Sequence, residues 1–241
     1  MSELIEQSRL TIRRISVSSM DNNVYLLTTR TGGRQLLIDA ANEPDAIADL
    51  LASAAGDADV PPRLELILTT HSHHDHLGAL AAVASAHPEA QTLAGAADAG
   101  AITAATGVPI VRRLEHGDAI ALGDLDLQVI GLRGHTPGSV AVAYSEPDQQ
   151  THVFTGDSLF PGGVGNTNRD AERFNSLFSD VVRRIFEVYR GDSIVQELPD
   201  VARPRRGDHA LQRASAPGRV GSSRLVSWSP TRERRGSAAP E

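Results

Sequence analysis

Residues 69–76 read T-T-H-S-H-H-D-H, and this run decides most of what the sequence shows about fold and chemistry. It places three spaced imidazoles and a carboxylate within six residues, directly after the apolar segment 64–69. Zinc and iron accept both kinds of ligand. Such a cluster is costly to place at the end of a buried strand without a metal. The H-x-H-x-D-H pattern therefore predicts a metal site rather than a solvated loop.

Two later segments strengthen this prediction. Residues 134–139 read G-H-T-P-G-S, which puts a histidine in a glycine-flanked turn, and residues 155–160 read T-G-D-S-L-F, which puts an aspartate just past a strand. Taken alone, a turn histidine is usually a surface residue and an aspartate after a strand usually caps a turn. In this order after the H-x-H-x-D-H run, the two segments are much more specific.

Composition narrows the class of protein. The chain has 241 residues, of which 40% are hydrophobic and 22% charged, as expected for one large globular domain. It has no cysteine, which excludes disulfides and thiolate zinc sites. Neither an apolar run of about 20 residues nor a signal peptide is visible, so we expect a cytoplasmic protein without a membrane partner. The net charge of −7 argues against nucleic acid as a partner.

The hydrophobic pattern alternates between strand and helix signals. Helical spacing is visible over residues 46–55, 77–86, 96–105 and 171–189, and the first helix is expected to begin with Asn42 as its cap. Strand-like segments cover residues 10–17, 24–29, 35–39, 64–69, 91–93, 109–112, 125–132, 140–145 and 152–155. The first three form an opening β-meander. Strands interleaved with helices predict a layered α/β domain whose ligands lie on loops at strand ends.

With these motifs, and with L-I-D at residues 37–39 and F-T-G-D-S-L-F-P-G-G at residues 154–163, the chain resembles the metallo-β-lactamase superfamily. Within that superfamily it is most similar to the glyoxalase II-like (hydroxyacylglutathione hydrolase-like) hydrolases. The resemblance covers roughly residues 10–190. It implies a four-layer αββα sandwich with two metals in a cleft at one edge.

The resemblance also implies a ligand set. The first metal would be held by His71, His73 and His135. The second would be held by Asp75, His76 and Asp157, with Asp157 bridging the two metals. Water bound to such a metal deprotonates near neutral pH, and two metals roughly 3.5–4 Å apart can share the hydroxide and polarise a carbonyl.

Two aspartates have additional expected roles. Asp75 would orient the hydroxide and accept its proton. Asp39 would either fix the orientation of a ligand or cap the end of its strand. Zinc is the expected metal, and iron or manganese is compatible with the same ligands.

The remaining histidines and glycines have simpler interpretations. His74 is expected to face solvent. Three other histidines are expected to be structural or exposed: His87, His116 and His152. The glycines of the loop after Asp157 either shape a substrate entrance or serve turn chemistry: Gly162, Gly163 and Gly165.

The C-terminal part departs from the family pattern. We expect a metallo-β-lactamase-like domain over residues 1–200 and a disordered tail, rich in Arg, Ser and Pro, over residues 201–241. Such proteins supply one more histidine to the second metal from a P-G-H-like loop after the long helix, and no such motif is present. The last strand and helix are expected to be missing as well, leaving the sheet edge uncovered.

A shift of one base in the reading frame is compatible with P-G-H-G-x-x-T-T-L over residues 202–210. We therefore hypothesise a one-base frameshift shortly before Ala202. A second metal would then bind weakly, and stability would be reduced. A basic binding tail is the alternative interpretation.

The leading functional hypothesis is a metal-dependent hydrolase that cleaves a thioester or ester of a small molecule. One alternative is a mononuclear iron persulfide dioxygenase, for which three histidines suffice. Others are a lactonase, a β-lactamase, or an inactive frameshifted product. The sequence leaves the substrate and the oligomeric state open.

Overall fold

Two β-sheets lie face to face in the structure, a computed structural model that describes residues 2–196. Neighbouring strands of the first sheet follow chain order: β1 (Glu3–Glu6), β2 (Leu10–Val17), β3 (Asn22–Thr29), β4 (Arg34–Ile38), β5 (Arg63–Thr69), β6 (Gln91–Gly95) and β7 (Arg112–Leu114). Strands β1 to β4 are antiparallel, whereas β4 to β7 pair in parallel. Parallel pairing brings the carboxyl ends of β4, β5 and β6 to one edge.

The second sheet is smaller. Its strands are β8 (Ala119–Leu122), β9 (Leu125–Gly131), β10 (Val140–Tyr144), β11 (His152–Phe154) and the short β14 (Ile194–Gln196). Between β11 and β14 the chain forms a separate hairpin of β12 (Leu159–Phe160) and β13 (Gly163–Val164). The spatial order is β14-β11-β10-β9-β8, and β14 runs parallel to β11.

Four helices complete the described part: α1 (Pro44–Ser53), α2 (Leu80–Ala86), α3 (Ala96–Thr106) and α4 (Ala171–Val181). A π-helical segment, Val182–Phe186, continues α4. Within residues 2–196, every helix is too short or too polar to span a lipid bilayer.

Three hydrophobic cores lie between adjacent layers. The first lies between the sheets and joins residues such as Leu68 of β5 and Leu127 of β9. The second packs α1, α2 and α3 against the outer face of the first sheet, and the third packs α4 against the outer face of the second sheet. The order of layers is helix, sheet, sheet, helix, which confirms the predicted αββα sandwich.

Strand β5 shows why its apolar run predicts a buried strand. Its side chains alternate between faces, as in any strand. Leu66 and Leu68 enter the core between the sheets, whereas Ile67 enters the core under the helices. Since both faces are covered, both sets of positions must be apolar.

Several element boundaries differ from the sequence predictions. The strand predicted at residues 109–112 begins only at Arg112, and the helix after the histidine run begins at Leu80 because His74–His76 form a 3₁₀ turn. Asn42 is not the cap of α1. The cap is Glu43, which has a left-handed φ of 52°. Asn42 Oδ1 accepts a hydrogen bond from the backbone N–H of Glu43.

Strands β1, β8, β12, β13 and β14, each four residues or shorter, are absent from the sequence predictions. The predicted tail, the frameshift hypothesis and the expected loss of a last strand and helix concern residues 197–241, which lie outside the described residues.

Candidate metal centre

The predicted ligands follow the ends of strands that meet at one edge of the sandwich. Asp39 follows β4, the histidine run follows β5, and Asp157 lies in a 3₁₀ turn after β11. His135 lies in the turn between β9 and β10, and the backbone N–H of Val140 donates to the carbonyl of Thr70 across the two sheets. This bond joins the His135 turn to the loop that carries the histidine run.

Three histidines form the first cluster. Ring nitrogens of His71, His73 and His135 all lie within 4.8 Å of one another, and the Nε2 atoms of His71 and His135 are 3.3 Å apart. Burial, reinforced by the neighbouring imidazoles, lowers the pKa of His71 well below its usual value. Burial also lowers the pKa of His135. Both rings are therefore neutral near pH 7, which is the form that binds metals.

Asp157 joins a second cluster to the first. Ligand atoms of His71, His76 and Asp157 lie within 4.8 Å of one another, with 3.2 Å between His76 Nε2 and Asp157 Oδ1. The other carboxylate oxygen, Oδ2, lies 3.6 Å from His135 Nε2. Asp157 therefore faces histidines of both clusters, which is the arrangement that a bridging ligand requires.

His76 is held from its far side by Asp39. Oδ2 of Asp39 lies 2.9 Å from His76 Nδ1, which leaves Nε2 facing Asp157. The backbone N–H and the hydroxyl of Thr70 also donate to Asp39, each at 2.7 Å. With no metal bound, burial opposes the charged form of His76, but the carboxylates of Asp39 and Asp157 outweigh it and raise its pKa to about 10. A metal bound at Nε2 would take the place of this proton.

Asp75 belongs to neither cluster. Its Oδ2 accepts a hydrogen bond from Asn22 Nδ2 at 3.0 Å and lies 3.7 Å from His76 Nε2. Burial opposes ionisation of Asp75, but the Asn22 hydrogen bond and the nearby His76 outweigh it and lower the pKa of Asp75. The carboxylate is therefore ionised at neutral pH and stands beside the second cluster.

Sequence reasoning missed several contacts around the clusters. Asn22 has no role in the sequence analysis, yet its side chain contacts both Asp75 and His76. The backbone carbonyl of Asn166 lies 2.8 Å from His135 Nδ1 and so favours the tautomer whose Nε2 faces the cluster. Neither a backbone acceptor nor one asparagine at a strand start carries a signal for these contacts in a single sequence.

The other histidines within residues 2–196 lie as expected. The His74 side chain is 93% exposed, although it stands between two predicted ligands. His152 is buried, and its two ring nitrogens each lie 2.9 Å from a side-chain nitrogen, one of Gln7 and one of Gln196.

Two glycines near Asp157 are required by close approach. A Cβ on Gly165 would overlap with the backbone carbonyl of Asp157 and would stand 3.3 Å from His135 Nδ1. Gly156 has a φ of +49°, and a Cβ there would overlap with the Thr70 hydroxyl. By contrast, a Cβ on Gly163 would meet nothing within 4 Å. The loop after Asp157 is therefore tightly fitted at Gly165 and open at Gly163.

The donor set fits a divalent metal. Two of the first-cluster histidines are buried with lowered pKa values, and Asp157 Oδ1 is a buried carboxylate oxygen without a well-directed hydrogen bond. Nitrogen and carboxylate oxygen are the ligands of zinc, iron and manganese sites. A cation between these atoms would satisfy the carboxylate oxygen and the converging ring nitrogens together.

The sequence of residues 20–216 matches the metallo-β-lactamase superfamily. The chain belongs to this superfamily. The fold and the class of enzyme inferred from the sequence, an α/β metallo-hydrolase, are thereby confirmed.

Similar proteins with assigned names are hydroxyacylglutathione hydrolases. Over 176 residues the chain is 38% identical to a hydroxyacylglutathione hydrolase of Anaeromyxobacter dehalogenans, an alignment that covers 71% of this chain and 61% of the relative. The chain spans only about half the length of several other hydroxyacylglutathione hydrolases. The predicted resemblance to the glyoxalase II-like group is confirmed by these relatives.

Two solved structures are also similar to this chain. TTHA1623, solved in a di-iron-bound form, is 30% identical with a TM-score of 0.59, and the match covers 77% of this chain and 91% of TTHA1623. ETHE1 from Myxococcus xanthus is 25% identical with a TM-score of 0.61, covering 79% of this chain and 76% of ETHE1.

Proposed function

We propose that this metallo-β-lactamase superfamily member hydrolyses thioesters or esters of small molecules, in the manner of a hydroxyacylglutathione hydrolase. The observation that carries the proposal is the position of Asp157. Its Oδ1 lies 3.2 Å from His76 Nε2, and its Oδ2 lies 3.6 Å from His135 Nε2. This carboxylate therefore stands between two groups of ligand atoms, where it could serve a metal site on either side.

Six residues would hold the metal ions. The first site would use His71, His73 and His135. The second would use His76 and Asp157 together with Asp75, whose carboxylate stands beside His76. When bound, a divalent metal supplies Lewis acidity toward a carbonyl and lowers the pKa of water. Zinc is the proposed metal, and the same donors suit iron and manganese.

The chain's own groups would orient the reaction. Asp75 is ionised and is fixed by the Asn22 amide, so it can accept a proton from a nucleophilic water. Asp39 holds the His76 ring and so keeps Nε2 directed at the site. Burial of His71 and His135 excludes bulk water from one side, which strengthens electrostatic interactions there.

Glutathione thioesters are the first substrates to test, because the relatives are named hydroxyacylglutathione hydrolases. Hydrolysis of S-D-lactoylglutathione would be followed for protein loaded in turn with zinc, iron and manganese. Replacing His135 with Ala is expected to lower kcat/KM by at least about 10³-fold, corresponding to several kcal/mol of lost stabilisation. The matched control is His74→Ala, since His74 lies in the same run but faces solvent.

Equal activity of the His135→Ala and His74→Ala variants would refute the proposed site. Failure of every metal form to hydrolyse thioesters, esters, lactones or β-lactams would refute the proposed function. Turnover of lactones or β-lactams alone would assign the chain to one of those alternatives. Bound metal with no turnover at all would identify an inactive product.

An iron-dependent persulfide dioxygenase is the second candidate. Its support is the three-histidine cluster, which is complete within residues 2–196, and the similarity to ETHE1. Oxygen uptake by the iron-loaded protein with glutathione persulfide, in the absence of thioester hydrolysis, would favour this candidate over the hydrolase.

A further inference from the structure

Asp98 is a buried carboxylate outside the six proposed ligands. It lies in the first turn of α3, and only 1% of its surface is exposed. Burying a carboxylate is costly unless hydrogen bonds compensate for lost water. Asp98 receives three such bonds, and none of them comes from its own helix.

The three bonds reach two different loops. Oδ2 accepts from the backbone N–H of Ser72 at 2.9 Å, between two ligands of the histidine run. Oδ2 also accepts from the Thr136 hydroxyl at 2.6 Å, directly after His135. Oδ1 accepts from the backbone N–H of Gly138 at 2.8 Å. One side chain therefore joins the loop of His71 and His73 to the turn of His135.

Backbone packing fixes the helix that carries Asp98 against the same turn. A Cβ on Gly138 would overlap with the backbone nitrogen of Asp98, and a Cβ on Gly95 would overlap with the carbonyl of Gly138. With the start of α3 and the turn in such close contact, the carboxylate has little freedom to move. Its bonds therefore constrain the spacing of the two loops.

We propose that Asp98 is a positioning residue that sets the distance between the two loops of the three-histidine cluster. Removing its charge releases the Ser72 backbone or the His135 turn, because an amide cannot accept all three bonds with one oxygen. The three ring nitrogens then converge less closely. This inference rests on the proposed metal site, but not on the choice between hydrolase and dioxygenase.

The test uses the full chain with Asp98→Asn, which has nearly the same shape as the natural residue. Affinity for zinc is measured by competition with a chromophoric chelator, and the visible absorption of the cobalt-substituted protein reports ligand geometry. We expect zinc affinity to fall about 10–100-fold, as for other residues that support ligands, together with a changed cobalt spectrum. Thermal unfolding is recorded separately.

Asp57→Asn is the matched control. Asp57 also accepts three side-chain hydrogen bonds, from Thr11 and Arg13, but it precedes β5 and lies away from the ligands that follow that strand. The Asp57→Asn variant should have a lower melting temperature but unchanged zinc affinity and an unchanged cobalt spectrum.

Thr136→Val removes one hydrogen bond to Asp98 and should change zinc affinity and the cobalt spectrum in the same direction but less. This variant provides the test if Asp98→Asn does not fold.

Wild-type zinc affinity and an unchanged cobalt spectrum in folded Asp98→Asn would overturn the positioning role, leaving Asp98 as a stabilising residue only. The same result in Thr136→Val would overturn it if Asp98→Asn cannot be purified. A wild-type chain that binds no metal would overturn the proposed function, and this inference with it.

Discussion

Oδ2 of Asp39 lies 2.9 Å from Nδ1 of His76, so the residue that ends β4 holds a ring on the loop that follows β5. The two residues are far apart in sequence, but parallel pairing of β4 and β5 brings their ends together. The Thr70 backbone and hydroxyl bind the same carboxylate. Asp39 is thus the common acceptor for the start and the end of the histidine run.

Asp39→Asn is expected to weaken metal binding at the site of His76 and Asp157. The single amide oxygen cannot accept hydrogen bonds from His76 Nδ1, the Thr70 hydroxyl and the Thr70 backbone N–H together. The His76 ring is then held less firmly with Nε2 directed at the site. We expect about a 10–100-fold loss of affinity for a metal at that site, measured by isothermal titration. The exposed Asp49→Asn is the control, and a wild-type titration for Asp39→Asn would contradict the assignment.

Gly165→Ala should disturb Asp157 and the metal site. The added methyl group would overlap with the Asp157 carbonyl, and overpacking of this kind costs about 1–3 kcal/mol. We expect a lower free energy of unfolding and weaker metal binding, measured by chemical denaturation and by elemental analysis. Gly163→Ala, in the same loop but in open space, should leave both quantities unchanged. Equal behaviour of the two variants would show that the loop is not tightly fitted.

The pH dependence of stability should report the buried His152. Burial lowers its pKa to about 4, whereas in the unfolded chain it titrates near 6.5. Between these values the unfolded chain binds a proton that the folded chain does not. The stability contribution of neutral His152 is therefore fully present above about pH 6.5 and is lost as the pH falls toward 4.

His152→Gln removes this titration. Urea unfolding at pH 7 and pH 4 should show that the variant loses less stability than the wild type, by as much as about 3 kcal/mol. His116→Gln is the control, because His116 is exposed, and it should follow the wild type. The same loss in wild type and His152→Gln would mean that the His152 ring is not held neutral.

The reading frame of the C-terminal part gives a further prediction. A second version of the chain would carry the sequence of the shifted reading frame from just before Ala202 onward. It is expected to bind two metals and to melt at a higher temperature. This chain is expected to bind one or fewer, because the restored frame adds a histidine. Two metals in both chains would show that this histidine is dispensable or is replaced. A gene without a CCA codon at Pro204 would rule out the P-G-H reading.

The long buried strands could be predicted because their apolar runs match both covered faces of the sandwich. Strand β2 begins and ends where the sequence predicts, at Leu10 and Val17. The short strands β1 and β8 were not predicted, because each has four residues and only one covered face, unlike the fully buried β11. Their pairing depends on neighbours that are already in place.

For the candidate site, the histidine run could be found from its spacing alone. The supporting contacts of Asn22 and Asp98 could not be found in this way. Their partners in the histidine run, Asp75 and Ser72, lie at least 26 positions away in the sequence. Asp98 lies in an ordinary alanine-rich helix, and nothing local distinguishes it from a helix-start acid. Its partners become visible only when β6 and the His135 turn are packed together.

The central claim, that the three-histidine cluster holds a metal ion, is tested most directly by the metal content per chain. Elemental analysis would compare wild type, His135→Ala and His74→Ala, all purified without chelator. We predict about one divalent metal per chain in wild type and His74→Ala, and almost none in His135→Ala. Equal metal content in all three proteins, or no metal in the wild type, would contradict the account.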